Sequence, residues 1–409
     1  MRILHTSDWH IGRTLYGNKR YEEFAAFFDW LAETIDERGI EALLVAGDIF
    51  DTGTPSNRAQ ELYYRFLVRV AASRCRHIVL VAGNHDSPSF LDAPQALLKA
   101  IRIHVVGNMR ANPEEEVLEL DDARGRTRLI VCAVPYLRDR DIRTTEAGES
   151  FEEKEQKLLE GIRAHYAAVA REALRVREKL GSNIPIAALG HLFAAGAQTV
   201  EGDGVRELYI GSLAHVSPTI FPSCFDYLAL GHLHVPQKVG GSETMRYSGS
   251  PLPMGFGEAH QQKIVCQVDF CDRKATVTPL AVPMFQKLER ISGDRDTIVK
   301  RLRELEAKNE RVWLEIVSIG APVTGDLREQ LETHIAGSAL EILRIRNGAI
   351  PQYALNTMDE GESLEELAVD EVFERCLGAH DIPEEQRPEL RRLYREVRAL
   401  LDEDDLQAQ

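Results

Sequence analysis

The octapeptide Val81-Ala82-Gly83-Asn84-His85-Asp86-Ser87-Pro88 follows the apolar run His77-Ile78-Val79-Leu80 and sets an amide, an imidazole and a carboxylate at three successive positions. In α/β sheets the crevice beyond the carboxyl ends of the strands is where ligands bind, and these groups stand just there. Four further clusters follow hydrophobic runs in the same way: Asp8-Trp9-His10, Gly47-Asp48-Ile49-Phe50-Asp51, Gly190-His191 and Gly231-His232-Leu233-His234. Their donors are oxygen and imidazole only. Mixed Asp, Asn and His ligands suit Mn²⁺, Fe²⁺ or Zn²⁺, and the lack of thiolates argues against a structural zinc or an iron–sulfur cluster. A single histidine after a strand is ordinarily structural, and an isolated D-x-H pair is a weak signal. Five such clusters in one chain leave that bland reading little room. The members of D-x-H, and of H-x-H, are expected to project to one side of an extended segment, so that each pair grips one ion. The glycines before Asp48, Asn84, His191 and His232 are expected to let the chain turn tightly at each strand end.

Around these clusters the first half of the chain alternates strands with helices. Ile3–Thr6, Ala42–Ala46 and Ile78–Ala82 read as buried strands, and Tyr21–Arg38 and Asn57–Ala72 carry apolar residues at helical spacing, such as Phe24, Phe27, Phe28, Leu31 and Ile35. That alternation implies a layered α/β domain with helices covering a central sheet. Further strands are expected at residues 129–133, 186–189, 227–230, 245–248, 263–270 and 275–280, with a long helix over Phe151–Leu180. Beyond Val282 the texture changes to a smaller domain, with strands at 285–291, 312–317 and 340–345 and helices at 294–308 and 325–335. The predicted division is 1–282, 283–350 and a helical tail, 351–409, with helices near Ser363–Cys376 and Pro383–Leu401. So short a tail cannot easily bury both apolar stripes alone, so it packs on the body or docks to a partner.

The chain has 409 residues, 44% of them hydrophobic and 28% charged, which suits a globular protein of two or three domains. No stretch reaches the roughly 18 apolar residues of a membrane span, and the amino terminus does not read as a signal peptide, so a cytoplasmic location is expected. Six scattered cysteines with no C-x-x-C pair fit reduced thiols. The net charge of −16 is uneven: Pro351–Gln409 holds 17 acidic and 6 basic residues, so the remaining 350 residues are nearly balanced. Local basic faces at Arg138-Asp139-Arg140-Asp141-Ile142-Arg143, Lys19-Arg20 and Arg344-Ile345-Arg346 are therefore compatible with a polyanionic partner.

The series D-x-H, G-D-x-x-D, G-N-H-D, G-H and G-H-x-H, in this order, resembles the calcineurin-like metallophosphoesterases. Residues Ile3–Gly12, Val45–Gly53 and Tyr247-Ser248-Gly249-Ser250-Pro251 closely resemble, within them, the SbcD family of bacterial nuclease subunits. The resemblance covers nearly the whole chain and is most specific over the first 250 or so residues. It implies a layered α/β fold with central β-sheets flanked by helices, a smaller α/β capping domain and a helical tail. It makes Asp8, His10, Asp48 and His234 ligands of one divalent ion, expected to be Mn²⁺, and Asp48, Asn84, His191 and His232 ligands of a second, with Asp48 bridging. Two such cations neutralise a phosphodiester and activate water against it. The resemblance casts His85 as the residue that stabilises the transition state or protonates the leaving 3′ oxygen. Asp86 is read as orienting His85 or as capping the turn at Ser87-Pro88, and Asp51 is similarly divided between support and turn chemistry.

The same motif serves phosphatases, nucleotidases and nucleases, so it fixes the reaction type rather than the substrate. Thr52 stands where Ser/Thr protein phosphatases carry the arginine of G-D-x-x-D-R-G, which suits a diester. The resemblance implies a DNA nuclease, 3′ to 5′ exonuclease on duplex ends and endonuclease on single strands and hairpins. It also implies an SbcC-like ATPase partner docked by the tail, and a homodimer, with 21–38 and 57–72 as candidate interface helices. No G-x-x-x-x-G-K-[ST] motif occurs, so ATP dependence would come from that partner. Arg138, Arg140 and Arg143 are expected DNA contacts. The alternatives are a two-metal phosphodiesterase acting on small nucleotides and a non-catalytic scaffold, which would have lost ligands.

Overall fold

The computed structural model describes residues 1–142, 149–194, 216–319 and 325–347, with isolated helical positions between 377 and 394. Arg143, the expected tail helix 363–376 and most of 383–401 lie outside the described residues. The chain divides into two compact units: Met1–Glu289 with Arg311–Leu314, and Arg290–Glu310 with the described residues from Glu315 onward. No helix among the described residues is long and apolar enough to cross a membrane.

In chain order the strands are β1 (Arg2–Thr6), β2 (Thr14–Leu15), β3 (Asn18–Lys19), β4 (Ala42–Ala46), β5 (His77–Val81), β6 (Ile103–Val106), β7 (Val117–Asp121), β8 (Thr127–Ala133) and β9 (Ile186–His191). They continue as β10 (Tyr227–Gly231), β11 (Gln237–Lys238), β12 (Met245–Tyr247), β13 (Ile264–Cys271), β14 (Lys274–Ala281), β15 (Lys287–Gly293), β16 (Val312–Ser318) and β17 (Leu340–Asn347). The helices are α1 (Tyr21–Arg38), α2 (Asn57–Ala71), α3 (Pro88–Asp92), α4 (Gln95–Ala100), α5 (Asp139–Ile142), α6 (Phe151–Leu180), α7 (Arg295–Glu306) and α8 (Gly325–Ile335).

The centre of the first unit is two six-stranded sheets, ordered β14-β13-β1-β4-β5-β6 and β11-β12-β10-β9-β8-β7. Within the first, β1, β4, β5 and β6 run parallel; within the second, β8, β9, β10 and β12 do. Side chains alternate across each strand and so sort into two cores. Ile3, Ala42, Leu44 and Val79 of the first sheet meet Val131, Ala187, Leu189 and Ala229 of the second. Leu4, Leu43, Val45 and Leu80 instead face α1 and α2, while Ile130, Ile186, Ala188 and Leu230 face α6. The result is a helix–sheet–sheet–helix stack.

Local chemistry sets the helix ends. Gly39 closes α1 in the left-handed region at φ 63°. The Ser56 hydroxyl caps α2, and Ser150 with Glu153 forms a reciprocal capping box on α6. Arg20, read from sequence as part of a basic face, is buried: Nε and Nη2 donate to Glu23 at 2.9 and 2.7 Å, and Nη1 donates to the Pro253 carbonyl. That expectation is corrected, because a guanidinium saturated by a carboxylate and a carbonyl offers nothing to a polyanion. The second unit includes strands of the sheet β15-β16-β17 together with α7 and α8. There the buried Glu315 carboxylate receives Arg290 at 2.5 Å, with Arg344 and Arg346 at 3.5 and 3.7 Å.

Candidate metal centre

The carboxyl-terminal ends of β1, β4 and β5 from one sheet, and of β9 and β10 from the other, meet in one crevice. The five motif loops are stitched together there. Asp8 N–H donates to the Gly47 carbonyl and His10 N–H to the Asp48 carbonyl, both at 3.0 Å. Across the crevice, His232 N–H donates to Asp8 Oδ1 at 2.8 Å, and His191 Nδ1 lies 2.9 Å from the Ala46 carbonyl.

The backbone does not converge in the way the sequence suggests. Asp8 (φ 53°), His10 (φ 48°), Asp48 (φ 50°) and His232 (φ 105°) all have positive φ. The D-x-H pair therefore shares one side of a left-handed kink, not of an extended segment. Such conformations cost about 1–3 kcal/mol each and persist where the surroundings enforce them, typically at functional sites. Of the four motif glycines only Gly47 needs positive φ, at 86°. At Gly83 a Cβ would sit 2.1 Å from Asp48 Oδ1, and at Gly231 1.8 Å from the Ala46 carbonyl oxygen. These glycines serve close approach between loops more than turn geometry.

The donors form two groups that could each hold a cation. Asp8, His10 and His234 offer ligand atoms within 4.8 Å of one another, and so do Asp48, His191 and His232. Asn84 joins the second group, its Oδ1 3.0 Å from both His191 Nε2 and His232 Nδ1. Asp48 Oδ2 lies between the groups, 3.5 Å from His10 Nε2 and 3.4 Å from His191 Nε2. Its other oxygen, Oδ1, accepts the His85 backbone N–H at 2.9 Å.

Tautomers follow from the partners. A carbonyl only accepts, so His191 Nδ1 donates to Ala46, and Nε2 is the atom turned to Asn84 and Asp48. By the same logic His85 Nδ1 donates to the Asp51 carbonyl at 3.0 Å, leaving Nε2 free for proton transfer. His10, Asp51 and His85 also offer donor atoms within 4.8 Å. The Asp51 carboxylate there is engaged at one oxygen by His10 Nδ1 at 3.3 Å and Arg13 at 3.2 Å, so it backs His10 from outside.

The electrostatics are those of a site built around positive charge. Burial pushes the Asp8 carboxyl up to about 6, and it pushes His10 and His232 down to about 4 and about 3. Burial would raise Asp48 too, but His191, His10 and His85 hold it well below the carboxylate range. Burial also works against charge on His191, yet Asp48 and Asp8 raise it to about 9. A proton on His191 thus does for these carboxylates what a cation would do. With imidazole nitrogens, an amide oxygen and two buried carboxylates, the residues fit a pair of divalent metal ions.

Asp86 is placed where neither expectation put its carboxylate. It accepts the backbone N–H groups of Gly83 (2.8 Å), Phe50 (2.9 Å) and Ile49 (3.1 Å), clamping the β4 loop to the β5 loop. Burial, and then Asp48, raise it to about 6. The cap on α3 comes from Ser87 instead. Arg138 reaches the same segment, its Nη2 donating to the Asp86 carbonyl at 3.2 Å, whereas the Arg140 side chain is exposed beside Asp141.

Several supporting residues escape a sequence reading. Ser7 Oγ donates to Asp8 Oδ2 at 2.5 Å and meets Ser248 Oγ at 2.8 Å. Glu258 is fully buried, with Oε1 3.7 Å from His234 Nδ1, and is paired with Lys263, whose Nζ also donates to the His234 carbonyl at 3.0 Å. Burial would raise Glu258, but Lys263 and His234 hold it low. No local pattern around Phe256-Gly257-Glu258 marks that carboxylate; the repeated serines of Tyr247–Pro251 were the available hint.

Residues 1–236 match the family model described as calcineurin-like phosphoesterase, and residues 284–381 that described as type 5 capsule protein repressor C-terminal domain. The SbcD subunit of the nuclease SbcCD from Escherichia coli (strain K12) is 36% identical over 397 residues, covering 96% of this chain and 97% of that protein. The Bacillus subtilis (strain 168) protein of the same name is 36% identical over 272 residues, 66% of each chain. Among solved structures, TT1561 of Thermus thermophilus aligns with a TM-score of 0.37 and 14% identity, covering 68% of this chain and 98% of that one. The chain belongs to the calcineurin-like phosphoesterases and, among them, to the SbcD family.

Proposed function

We propose that this chain is the metal-dependent DNA nuclease subunit of an SbcCD-like complex. The observation that carries the reading is the position of Asp48 Oδ2 between two donor groups drawn from both sheets. Asp8, His10, Asp48 and His234 would hold one divalent ion, and Asp48, Asn84, His191 and His232 the other, with Mn²⁺ the proposed metal. When bound, such a pair neutralises phosphate charge and activates water. The chain's own residues do the rest. Asp51, Ala46 and Glu258 hold His10, His191 and His234 in place. Asp86 fixes the two loops that present Asp48 and Asn84. His85, half-buried and tethered through Nδ1, would use Nε2 to stabilise the transition state or, when both ring nitrogens carry a proton, to give the Nε2 proton to the leaving 3′ oxygen as water attacks phosphorus and the P–O bond breaks.

The proposed activity is 3′ to 5′ exonuclease on duplex ends and endonuclease on single strands and hairpins, in repair, recombination and replication. The named relatives, subunits D of the nuclease SbcCD, support the nuclease assignment and an SbcC-like partner. That partner is further proposed to be an ATPase that confers ATP dependence. The proposed organisation is a nuclease domain to residue 282, a DNA-contacting cap over 283–350 and a docking tail, in a homodimer within a heterotetramer. End-labelled linear duplex and hairpin DNA, incubated with Mn²⁺ and the chain with and without the ATPase and ATP, tests it. Mn²⁺-dependent cleavage that rises with partner and ATP is expected. Intact DNA alongside hydrolysis of a small diester would favour the small-nucleotide phosphodiesterase.

A further inference from the structure

Besides the five motif loops, the structure brings another strand end to the crevice. β8 runs parallel to β9, so the segment Val134–Arg138 leaves the second sheet on the same edge as His191. It is fastened to the first sheet's loops: Tyr136 N–H donates to the Ala82 carbonyl at 2.8 Å, and Arg138 Nη2 donates to the Asp86 carbonyl, one residue from His85. The guanidinium carbon lies 5.9 Å from the centroid of the Tyr136 ring, and that ring stands edge-on to His191 at 6.2 Å. These contacts hold a permanent positive charge against the Asp86 carbonyl and the Tyr136 ring, which itself packs on His191.

Arg138 Nη1 is buried and, among the described residues, has no hydrogen-bond partner. Asp141, three residues on, has Oδ1 3.7 Å from Arg140, and its Oδ2 is likewise buried without a hydrogen-bond partner among the described residues. A guanidinium cannot shed its proton, so a buried, unanswered N–H is costly and persists where a ligand answers it. The motif position that carries an arginine in G-D-x-x-D-R-G is Thr52 here, so Gly47–Thr52 brings no such cation.

We propose that Arg138 Nη1 donates to a non-bridging oxygen of the scissile phosphate, on the side of the centre formed by Asn84, His191 and His232. This rests on the phosphodiesterase reading above and deepens it. A single guanidinium N–H from the opposite sheet suits a diester, which carries one negative charge over two non-bridging oxygens.

Titration calorimetry of inorganic phosphate into the full-length, Mn²⁺-loaded protein tests the contact, alongside manganese content and hydrolysis of bis(p-nitrophenyl) phosphate. Arg138→Gln is expected to weaken phosphate binding about 10- to 100-fold and to lower kcat/KM on the small diester by a similar factor, with Arg138→Lys intermediate and both metal ions retained. Unchanged phosphate affinity in a variant that keeps both ions overturns the proposal. So does loss of the ions in both variants, which would make Arg138 a brace for the Asp86 segment. If the unsubstituted protein hydrolyses the small diester but leaves DNA intact, the nuclease reading falls while the Arg138 contact is judged on phosphate binding alone.

Discussion

His232 donates its backbone N–H to the Asp8 carboxylate at 2.8 Å, joining the loop after β10 in one sheet to the loop after β1 in the other. The bond is buried and spans 224 residues of sequence. Asp8 is thus both a proposed ligand and a structural acceptor, and the two roles separate on substitution. Asp8→Asn keeps an acceptor while removing a charge that burial already disfavours. The metal-free variant is expected to melt within a few degrees of the unsubstituted protein, yet to bind Mn²⁺ at least about tenfold more weakly. Calorimetry of both proteins checks the pair of outcomes.

Glu258 supports His234 from a fully buried position. Glu258→Gln is expected to weaken Mn²⁺ binding about 10- to 100-fold, the usual effect of losing the carboxylate behind a ligating imidazole. It also leaves Lys263 without its counter-charge, so a stability loss on the order of 3 kcal/mol is expected in chemical denaturation. Restored stability without restored metal affinity in Glu258→Gln/Lys263→Met would separate the two effects.

Much of this was legible in the sequence, and the failures have physical causes. Ala42–Ala46 reads as a strand because a central parallel strand is apolar throughout. That same uniformity hides which face is which. Leu43 and Leu44 look alike in sequence, yet one packs on helices and the other on a second sheet, so two sheets read as one layer. β7 went unseen because it is an edge strand whose side chains are mostly only partly buried. The proposed liganding side chains were visible as residue types at strand ends. The left-handed backbone at Asp8, His10 and Asp48 was not, since only glycine advertises positive φ. Glu258 and Lys263 meet His234 through tertiary contacts that no spacing encodes.

Close approach between loops predicts an asymmetry among glycines. Gly83→Ala places a Cβ 2.1 Å from Asp48 Oδ1, and is expected to abolish tight metal binding. Gly125→Ala meets nothing within 4 Å, although its φ of 72° is unfavourable, and should cost only about 1 kcal/mol. Thermal melts with and without Mn²⁺ distinguish them: only the Gly83 variant should lose the metal-induced rise in Tm.

Metal uptake should be coupled to protons in a direction fixed by His191. Asp48 and Asp8 raise its pKa to about 9 against burial, so it is protonated in the metal-free protein at neutral pH and must lose that proton to bind a cation. In the metal-free protein this raised pKa contributes stability below the unfolded value of about 6.5, and that contribution is lost as pH rises through about 9. The Tm gain from Mn²⁺ is therefore expected to grow between pH 6.5 and 9. Calorimetry in buffers of different ionisation enthalpy should detect about one proton released at pH 7.5, and more near pH 5 as Asp8, raised to about 6, joins.

The central claim is that Asp48 stands between two divalent cations. Anomalous diffraction from crystals of the full chain grown with Mn²⁺ tests it most directly. Two manganese peaks are predicted, flanking the Asp48 carboxylate, one beside Asp8, His10 and His234 and the other beside Asn84, His191 and His232. A single peak, or peaks that do not share Asp48, would contradict the account.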